Sequence, residues 1–462
     1  MITSLLPLVE RLSGRRSWSE MRRLRELQWL PVDVLENQTL EKARRIVTYA
    51  GTHVPHYREL FAHHRFDPQS IRTLDDLSQV PITTKADLRS GFPKRTVAEN
   101  VPRSRAAEGS TSGSTGSPFR FYTDRASEAI RHGSYLFFLD LAGVSIADTR
   151  VAIGYHTRSP RPPIMRDLAR RVVLGERSIL LSALDLTPDS FRAAVQRLPR
   201  GRRYFLQAYP SYASHLAAGL LGDGDPLERL PCAVITSSET LSDLDVRILT
   251  RAFRCPIINH YSTWEVLHVA QSCPDHPELL HINSRRAVLR IVRDDGTAAA
   301  PGEQGRVLLT DLTNFVMPFI NYDIGDRAIA GRPCPCGRGL PTLHALEGRV
   351  GEIIRTPDGK LIAPGSLTRR LTRLVLDLVW EYQAVQTAAE AVTLRVVPAP
   401  RFSAADAVSL RRDLEEFLGP GVRVTVEPVD RIIPEASGKR LIIKSLPNPS
   451  PGSERGRDLL GL

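Results

Sequence analysis

Short apolar runs alternate with amphipathic helical patterns between residues 151 and 259, and this alternation is the strongest constraint on the fold. Such an order is typical of α/β layering, in which each helix returns the chain to the start of the next parallel strand. The segment therefore predicts a parallel sheet covered by helices. The strand-like runs are 151–154, 178–181, 203–206, 233–236 and 256–259, and the helical patterns are 190–198, 212–221 and 242–253.

The regions on either side of this segment predict further structure. Residues 1–60 have an amphipathic helical pattern, residues 287–330 are more strand-like, and the region beyond 348 reads as a second α+β pattern. The chain has 462 residues, of which 42% are hydrophobic, so it is long enough to bury more than one core.

Residues 108–118 read EGSTSGSTGSP and are followed by the strand-like segment FRFYTD at 119–124. Ser, Thr and Gly bury little apolar surface, but their hydroxyls and closely approaching backbone N–H groups suit a polyphosphate. A flexible linker has a similar composition, yet the strand that follows indicates a loop between strands. The segment lacks the lysine of a Walker loop after Gly116, and it does not match the dinucleotide-binding pattern.

The formal net charge is +11, but the arginines are dispersed except for a basic segment at 11–25. No aromatic-plus-basic recognition module accompanies that segment, so we predict no nucleic-acid partner. A solvated basic helix accounts for it, with docking to a membrane surface or a partner as the alternative. No apolar run approaches the ~20 residues of a membrane span, and residues 1–10 do not resemble a secretory signal. These features predict a cytoplasmic protein without a transmembrane segment.

Five further segments occur in a fixed order after the Gly/Ser/Thr loop. With that loop they resemble the adenylate-forming enzymes, which include acyl-CoA synthetases, peptide-synthetase adenylation domains and luciferases. VPHYRELF at 54–61 and PITTK at 81–85 are similar to the phenylacetate–CoA ligase-like branch, which has capsule-polysaccharide-associated members. The likeness covers nearly the whole chain. The five segments are TSSE at 236–239, NHYSTWE at 259–265, NYDIGD at 321–326, GRVGEII at 348–354 and PEASGK at 434–439.

The resemblance implies that the carboxylate of an aryl or other hydrophobic acid attacks the α-phosphorus of ATP. Acyl-AMP and pyrophosphate form, and the acyl group then passes to coenzyme A. Transfer to a carrier-protein thiol or an amine, or AMP transfer to a hydroxyl, is the alternative. A non-catalytic nucleotide-binding homologue is a third reading, which the intact Glu265, Asp326 and Lys439 argue against. The oligomeric state stays open, a dimer included.

The resemblance also implies roles for single residues. Glu265 would hold Mg²⁺ against the phosphate oxygens, and Asp326 would bind the ribose hydroxyls. Lys439 would lie near the α-phosphate, and Arg349 would contact the nucleotide at the domain junction. Tyr261 would place its ring against adenine, although a tyrosine that ends a strand is as often part of the core.

Other nucleotide-binding candidates follow from the same motifs. The loop would hold the β- and γ-phosphates while pyrophosphate leaves, and residues near His156, Tyr209, Pro210 and Ser211 would line the acyl pocket. The remaining cofactor-binding candidates are Ser110, Thr111, Ser112, Gly113, Ser114, Thr115, Gly116, Ser238, Glu239, Ser262 and Thr263.

The resemblance and the strand pattern together predict an α/β fold, with a large N-terminal multi-layer α/β domain and a small C-terminal α+β lid domain. We place the nucleotide- and substrate-binding domain at residues 1–347 and the mobile lid at 348–446. Residues 447–462, rich in Pro, Ser, Gly and Arg, form a disordered tail in this interpretation. Gly351 stands at the hinge position, where the family normally has Asp or Lys, and glycine permits the rotation that a hinge requires.

A cysteine- and histidine-containing pattern indicates a structural zinc site. Cys273 and His281 precede the pair Cys334 and Cys336 by some fifty residues, and three thiolates with one imidazole would complete a tetrahedral site. Some members of the branch have such a site, and His281 aligns with it better than His276. Free thiols in a Gly/Pro turn are the alternative. Cys232 and Cys255 lie in apolar strand contexts, so we predict buried core thiols there.

Overall fold

The chain divides into two compact units between Glu347 and Gly348. The second unit has its own sheet, so the predicted α/β fold with a separate C-terminal domain is confirmed. The computed structural model describes residues 16–111, 119–154, 177–183, 186–223, 227–349, 353–358, 361–362, 367, 370–371, 378–435 and 440–445.

The first unit begins with helices α1 (Ser17–Leu27), α2 (Val32–His53) and α3 (Pro55–His63). Met21, Leu24 and Leu27 recur at helical spacing on α1 and are buried, whereas the arginines at 22, 23 and 25 are exposed. The described part of the basic segment is therefore a helix with a solvated basic face.

Helix α4 (Lys85–Gly91) follows the short strand β1 (Thr83–Thr84). The remaining α-helices within the described ranges are α5 (Glu128–Leu141), α6 (Pro188–Gln196), α7 (Pro210–Gly222), α8 (Asp243–Phe253) and, in the second unit, α9 (Ala404–Leu418). Among the described residues, no helix is long and apolar enough to cross a membrane.

A twelve-stranded sheet forms the body of the first unit, in the order β11-β12-β13-β14-β10-β9-β8-β7-β6-β4-β5, with β1 paired to β13. Its strands are β4 (Thr149–Gly154), β5 (Arg177–Ser182), β6 (Tyr204–Ala208), β7 (Val234–Ser237), β8 (Ile257–Tyr261), β9 (Ala270–Ser272), β10 (Leu280–Ile282), β11 (Ala287–Val292), β12 (Gln304–Asp311), β13 (Tyr322–Ala330) and β14 (Thr342–Arg349).

Strands β5, β4, β6, β7 and β8 are parallel, which confirms the predicted parallel sheet. The helices between them begin at identifiable sequence signals. Thr187 and Ser242 each accept a hydrogen bond from the third helical N–H in a capping box, and Pro210 opens α7 at a position where no N–H is needed. The carboxyl ends of β4, β6, β7 and β8 therefore meet at one edge, where α/β sheets bind ligands.

The Gly/Ser/Thr segment connects two antiparallel strands, β2 (Ala106–Thr111) and β3 (Phe119–Asp124). Ser110 pairs with Arg120 and Thr111 with Phe119, so these two residues belong to β2 rather than to the loop. Phe119 and Phe121 are buried in the core beside β13. This pairing confirms that the segment joins strands, and it shortens the connecting loop to residues 112–118.

The second unit has a four-stranded sheet in the order β19-β18-β17-β20 and a separate pair of short strands. Helix α9 begins at a Ser403–Asp406 capping box and buries Leu410, Leu414 and Leu418. The strands are β15 (Ile354–Arg355), β16 (Leu361–Ile362), β17 (Val379–Ala388), β18 (Ala391–Pro398), β19 (Arg423–Pro428) and β20 (Ile443–Lys444). The proposed tail at 447–462 lies outside the described residues.

Tyr57, in the VPHYRELF segment, ties the N-terminal helices to the chain just before β13. Its buried hydroxyl donates to the carbonyl of Pro318 at 2.9 Å and accepts from the N–H of Ile320 at 3.0 Å. Tyr57→Phe would leave both backbone groups buried without a partner. We expect it to lower the free energy of unfolding by about 1–3 kcal/mol.

Urea unfolding measures this loss. Tyr49→Phe is the matched control, because the hydroxyl of Tyr49 bonds the exposed side chain of Asn100 and water can replace that bond. Equal stabilities for the Tyr57→Phe variant and the wild type would contradict the assigned role.

Candidate active site

The first pair of site candidates meets near the carboxyl edge of the parallel strands. Tyr261 ends β8, and its hydroxyl donates to Oδ2 of Asp326 on β13 at 2.7 Å. Both side chains are buried. The structure therefore brings together the residues predicted to bind adenine and ribose, which lie 65 positions apart in the chain.

Glu265 lies four residues beyond β8, and its side chain is only 4% exposed. Its Oε1 accepts a hydrogen bond from the hydroxyl of Tyr322 at 3.3 Å, and Nζ of Lys85 lies 3.3 Å from the same oxygen. A buried carboxylate without a partner is unfavourable by several kcal/mol, so these two groups compensate its charge. Glu265 is thus a positioned, desolvated acid and not a solvated surface residue.

Backbone pairing fixes the place of Lys85. β1 runs parallel to β13, with Thr83 opposite Tyr322 and Thr84 opposite Asp323. Thr84 caps α4, so Lys85 is its first helical residue. The ammonium also lies 5.3 Å from the ring centroid of Phe119, the first described residue after the loop. A cation therefore lies near both Glu265 and Phe119, the first residue of β3.

In the sequence, PITTK is only a family signature, and it predicts no role for Lys85. Lys85 could have been singled out because it directly follows a threonine that can cap a helix, in a segment that resembles the family. Its proximity to Glu265 could not be read from the sequence, because it depends on the pairing of β1 with β13 across more than 230 residues.

Two further candidates lie after β7. Ser238 is exposed and has a left-handed backbone, with φ of 72°, which few non-glycine residues adopt. Oε2 of Glu239 accepts a hydrogen bond from the N–H of Ser211 at 3.0 Å, at the start of α7. The ring of Tyr209 stacks on Tyr212 with centroids 5.5 Å apart. The predicted pocket residues 209–211 and Glu239 therefore lie together at the carboxyl edge.

Ser262 and Thr263 use their hydroxyls inside the turn that carries Glu265. Oγ of Ser262 accepts from the N–H of His268 at 3.1 Å, and Oγ1 of Thr263 accepts from the N–H of Val266 at 2.9 Å. These contacts hold the turn in place. Ser262 and Thr263 therefore position Glu265 by holding this turn.

Several predicted site residues have no described side chain. Arg349 is the last residue of β14, but its side chain and that of Thr111 are outside the description. Also outside the described residues are Ser112, Gly113, Ser114, Thr115, Gly116, His156, Gly351 and Lys439.

The predicted cysteine and histidine ligands converge. One ligand atom from each of Cys273, His281, Cys334 and Cys336 lies within 4.8 Å of all the others. Cys273 follows β9, His281 lies on β10, and the two other cysteines lie between β13 and β14. His276, the less favoured candidate, lies 3.9 Å from the carboxylate of Glu278 and is not part of the cluster.

The distances in the cluster fit a tetrahedral metal. Sγ atoms of Cys273 and Cys334 are 3.7 Å apart, too far for a disulfide and close to the ~3.8 Å edge expected for two thiolates on zinc. Sγ of Cys336 lies 3.4 Å from Nε2 of His281. Burial, with Arg338 nearby, lowers the pKa of His281 to about 4, so its imidazole is neutral at pH 7.

The prediction for the other two cysteines needs a correction. Cys232 and Cys255 are half-buried free thiols rather than buried core residues. Each lies two residues before the first paired residue of its strand, Val234 of β7 or Ile257 of β8, and so stands outside the paired part of the sheet. Burial still raises the pKa of Cys255 to about 12, so this thiol is not ionised at neutral pH.

Comparisons with known proteins agree with this geometry. Residues 354–445 match the CapK C-terminal domain family. A phenylacetate-coenzyme A ligase from Aromatoleum evansii is 38% identical over 350 residues, 70% of this chain and 72% of the relative. Protein CapK from Staphylococcus aureus is 23% identical over 428 residues, 92% of this chain and 91% of the relative.

A solved structure shows the same fold. The crystal structure of 2-hydroxyisobutyryl-CoA ligase, in the postadenylation state with R3-HIB-AMP, superposes with a TM-score of 0.72. The two sequences are 20% identical, and the match covers 91% of this chain and 90% of the neighbour. At that identity the likeness establishes the fold alone.

Proposed function

The chain belongs to the phenylacetate–coenzyme A ligase family, and from this premise we propose that it adenylates a carboxylic acid with ATP and transfers the acyl group to coenzyme A. The acid's carboxylate oxygen would bond to the α-phosphorus while the bond to the β-phosphate oxygen breaks. Pyrophosphate leaves, and the thiol then displaces AMP from the acyl carbon. The observation that carries this proposal is the buried Glu265, compensated by Lys85 beside the Tyr261–Asp326 pair.

Charge is the main physical demand of the first step. When bound, Mg²⁺ would neutralise negative charge on the phosphates, and such ions are commonly held by one or two carboxylates plus substrate oxygens. The single buried carboxylate of Glu265 fits that donor set. Lys85 supplies a second positive charge from an independent element, at a loop that contributes no lysine of its own. We retain Lys439 and Arg349 as proposed nucleotide contacts.

A second candidate differs only in the acceptor. CapK matches 92% of this chain, and the CapK C-terminal domain family matches residues 354–445, whereas the A. evansii ligase matches 70%. This favours testing an acceptor other than coenzyme A, such as a carrier-protein thiol or an amine. Stable acyl-AMP whose breakdown is not accelerated by coenzyme A would support it.

ATP–pyrophosphate exchange with pooled aryl and aliphatic acids tests the adenylation step. We expect exchange with at least one pool, dependent on Mg²⁺, because adenylation is reversible while acyl-AMP stays bound. Coenzyme A added to a responsive pool should then release AMP. ATP binding without exchange in any pool would contradict the proposal and favour a non-catalytic homologue.

Variants at the buried pair separate its two charges. Glu265→Gln keeps the shape and removes the charge, so we expect at least a 100-fold loss of exchange, a scale typical of a removed transition-state charge contact. Lys85→Ala should lower exchange about tenfold or more for the same reason. Lys94→Ala and Glu36→Gln alter exposed residues and serve as controls. Wild-type exchange in both site variants would remove these residues from the mechanism.

We also propose that the cysteine–histidine cluster holds a structural Zn²⁺. Elemental analysis of purified protein should give about one zinc per chain. Cys334→Ser and His281→Ala should lose the metal and lower the melting temperature, because each removes one of four ligands. Cys255→Ser, outside the cluster, is the control and should retain zinc. Folded wild-type protein without metal would contradict the assignment.

A further inference from the structure

A chain of hydrogen bonds runs through the core behind the candidate nucleotide site. Nε2 of Gln271 donates to the backbone carbonyl of Phe138 at 2.6 Å. Oε1 of Gln271 lies 3.0 Å from Nδ1 of His260, and Nε2 of His260 lies 3.1 Å from Nδ1 of His268. Gln271 and His260 are buried, so these side chains depend on one another for partners.

The backbone carbonyl of Phe138 fixes which atom carries the proton in each of these hydrogen bonds. The carbonyl of Phe138 can only accept, so the amide NH₂ of Gln271 faces it and the amide oxygen faces His260. His260 must therefore donate from Nδ1, and its Nε2 then carries a lone pair. His268 donates to that lone pair from Nδ1, which leaves Nε2 of His268 as a hydrogen-bond acceptor.

Both imidazoles are neutral at physiological pH. Burial lowers the pKa of His260 to about 4. Burial lowers the pKa of His268 well below its usual range, and His260, Arg286, Arg131 and His132 add to this effect because positive charge there would be repelled. The single lone pair of His268 is therefore not lost to protonation.

His268 lies next to the site. Its N–H bonds Ser262, directly after Tyr261, and its backbone has a left-handed φ of 61°. Its ring lies 5.4 Å from that of Tyr135, which lies 6.2 Å from the ring of His132 one turn earlier on α5. All three side chains are half-buried.

His268 lies at the carboxyl end of β8. Its ring bonds His260, the last residue but one of that strand, and its backbone N–H bonds Ser262, directly after the strand. Within the part of the chain that the structure describes, Nε2 of His268 has no hydrogen-bond partner. An oriented acceptor thus lies at the carboxyl edge of the sheet, beside the turn that carries Glu265.

We propose that Nε2 of His268 accepts a hydrogen bond from a hydroxyl or amino substituent on the acid, and so determines substrate specificity. This inference rests on the proposed adenylation of an acid. It narrows the predicted hydrophobic or aryl acid to one that carries a donor group. An unsubstituted analogue would leave the lone pair without a partner, and sites built in this way discriminate strongly.

Exchange kinetics with matched acids test the proposal. The pairs are phenylacetate with its hydroxy derivatives, benzoate with its hydroxy and amino derivatives, and short aliphatic acids with their 2-hydroxy forms. In at least one pair we expect kcat/KM to favour the substituted acid by about tenfold or more. His268→Phe should abolish that preference, because kcat/KM should fall more for the substituted acid than for the unsubstituted one.

His64→Phe, at an exposed histidine, is the control and should keep the preference. Exchange without preference in any pair, or a preference that survives in His268→Phe, would overturn the specificity role alone. An equal loss for both acids of each pair, with a raised KM for ATP, would assign His268 to the nucleotide and also overturn it. No exchange with any acid would overturn the proposed function and this inference together.

Nitrogen NMR tests the hydrogen-bond relay of Gln271, His260 and His268 without an activity assay. In protein labelled with ¹⁵N at its 12 histidines, the His268 signals are identified by their loss in His268→Phe. We expect a neutral ring, protonated on Nδ1, from pH 8 to pH 5.5. A proton on Nε2, or protonation of the ring within that range, would overturn the proposal.

Discussion

The burial of a negative charge at Glu265 is the constraint on which the rest of the site depends. A carboxylate this deeply covered requires a cation and hydrogen-bond donors, and the chain supplies them from two distant segments. Lys85 reaches it only because β1 pairs with β13, and Tyr322 reaches it because the same pairing fixes the start of β13. Removing Lys85 would leave the buried carboxylate without its cation, so the N-terminal segment and the sheet are coupled through this carboxylate.

The same edge of the sheet gathers the other functional groups. β8 carries Tyr261 and the turn to Glu265, while β13 carries Tyr322 and Asp326, and side chains from both strands meet. The relay behind β8 fixes the lone pair of His268 next to this turn. The strands thus place these side chains at the site, and the buried groups around each side chain determine its charge and its hydrogen-bonding role.

Much of the fold could be predicted because it depends on local pattern. The apolar runs become the parallel strands, and Thr187 and Ser242 mark helix starts by their capping spacing. The motif series singled out Glu265, Tyr261 and Asp326, whose roles remain predictions, and the cysteine and histidine pattern with the resemblance singled out the four residues that converge. Lys85 and the His260–His268 relay escaped prediction, because their partners are set by strand pairing and burial rather than by neighbouring residues. The half-burial of Cys232 and Cys255 likewise depends on their place at the strand ends.

The cation requirement of Glu265 is tested most directly by electron paramagnetic resonance of Mn²⁺, used in place of Mg²⁺, with ATP present. The wild type should bind one Mn²⁺ per chain in an ATP-dependent manner, and Glu265→Gln, with its fold verified by circular dichroism, should bind it far more weakly. Equal Mn²⁺ binding by the two proteins would show that the buried carboxylate does not hold the ion, and the account of the site would fail.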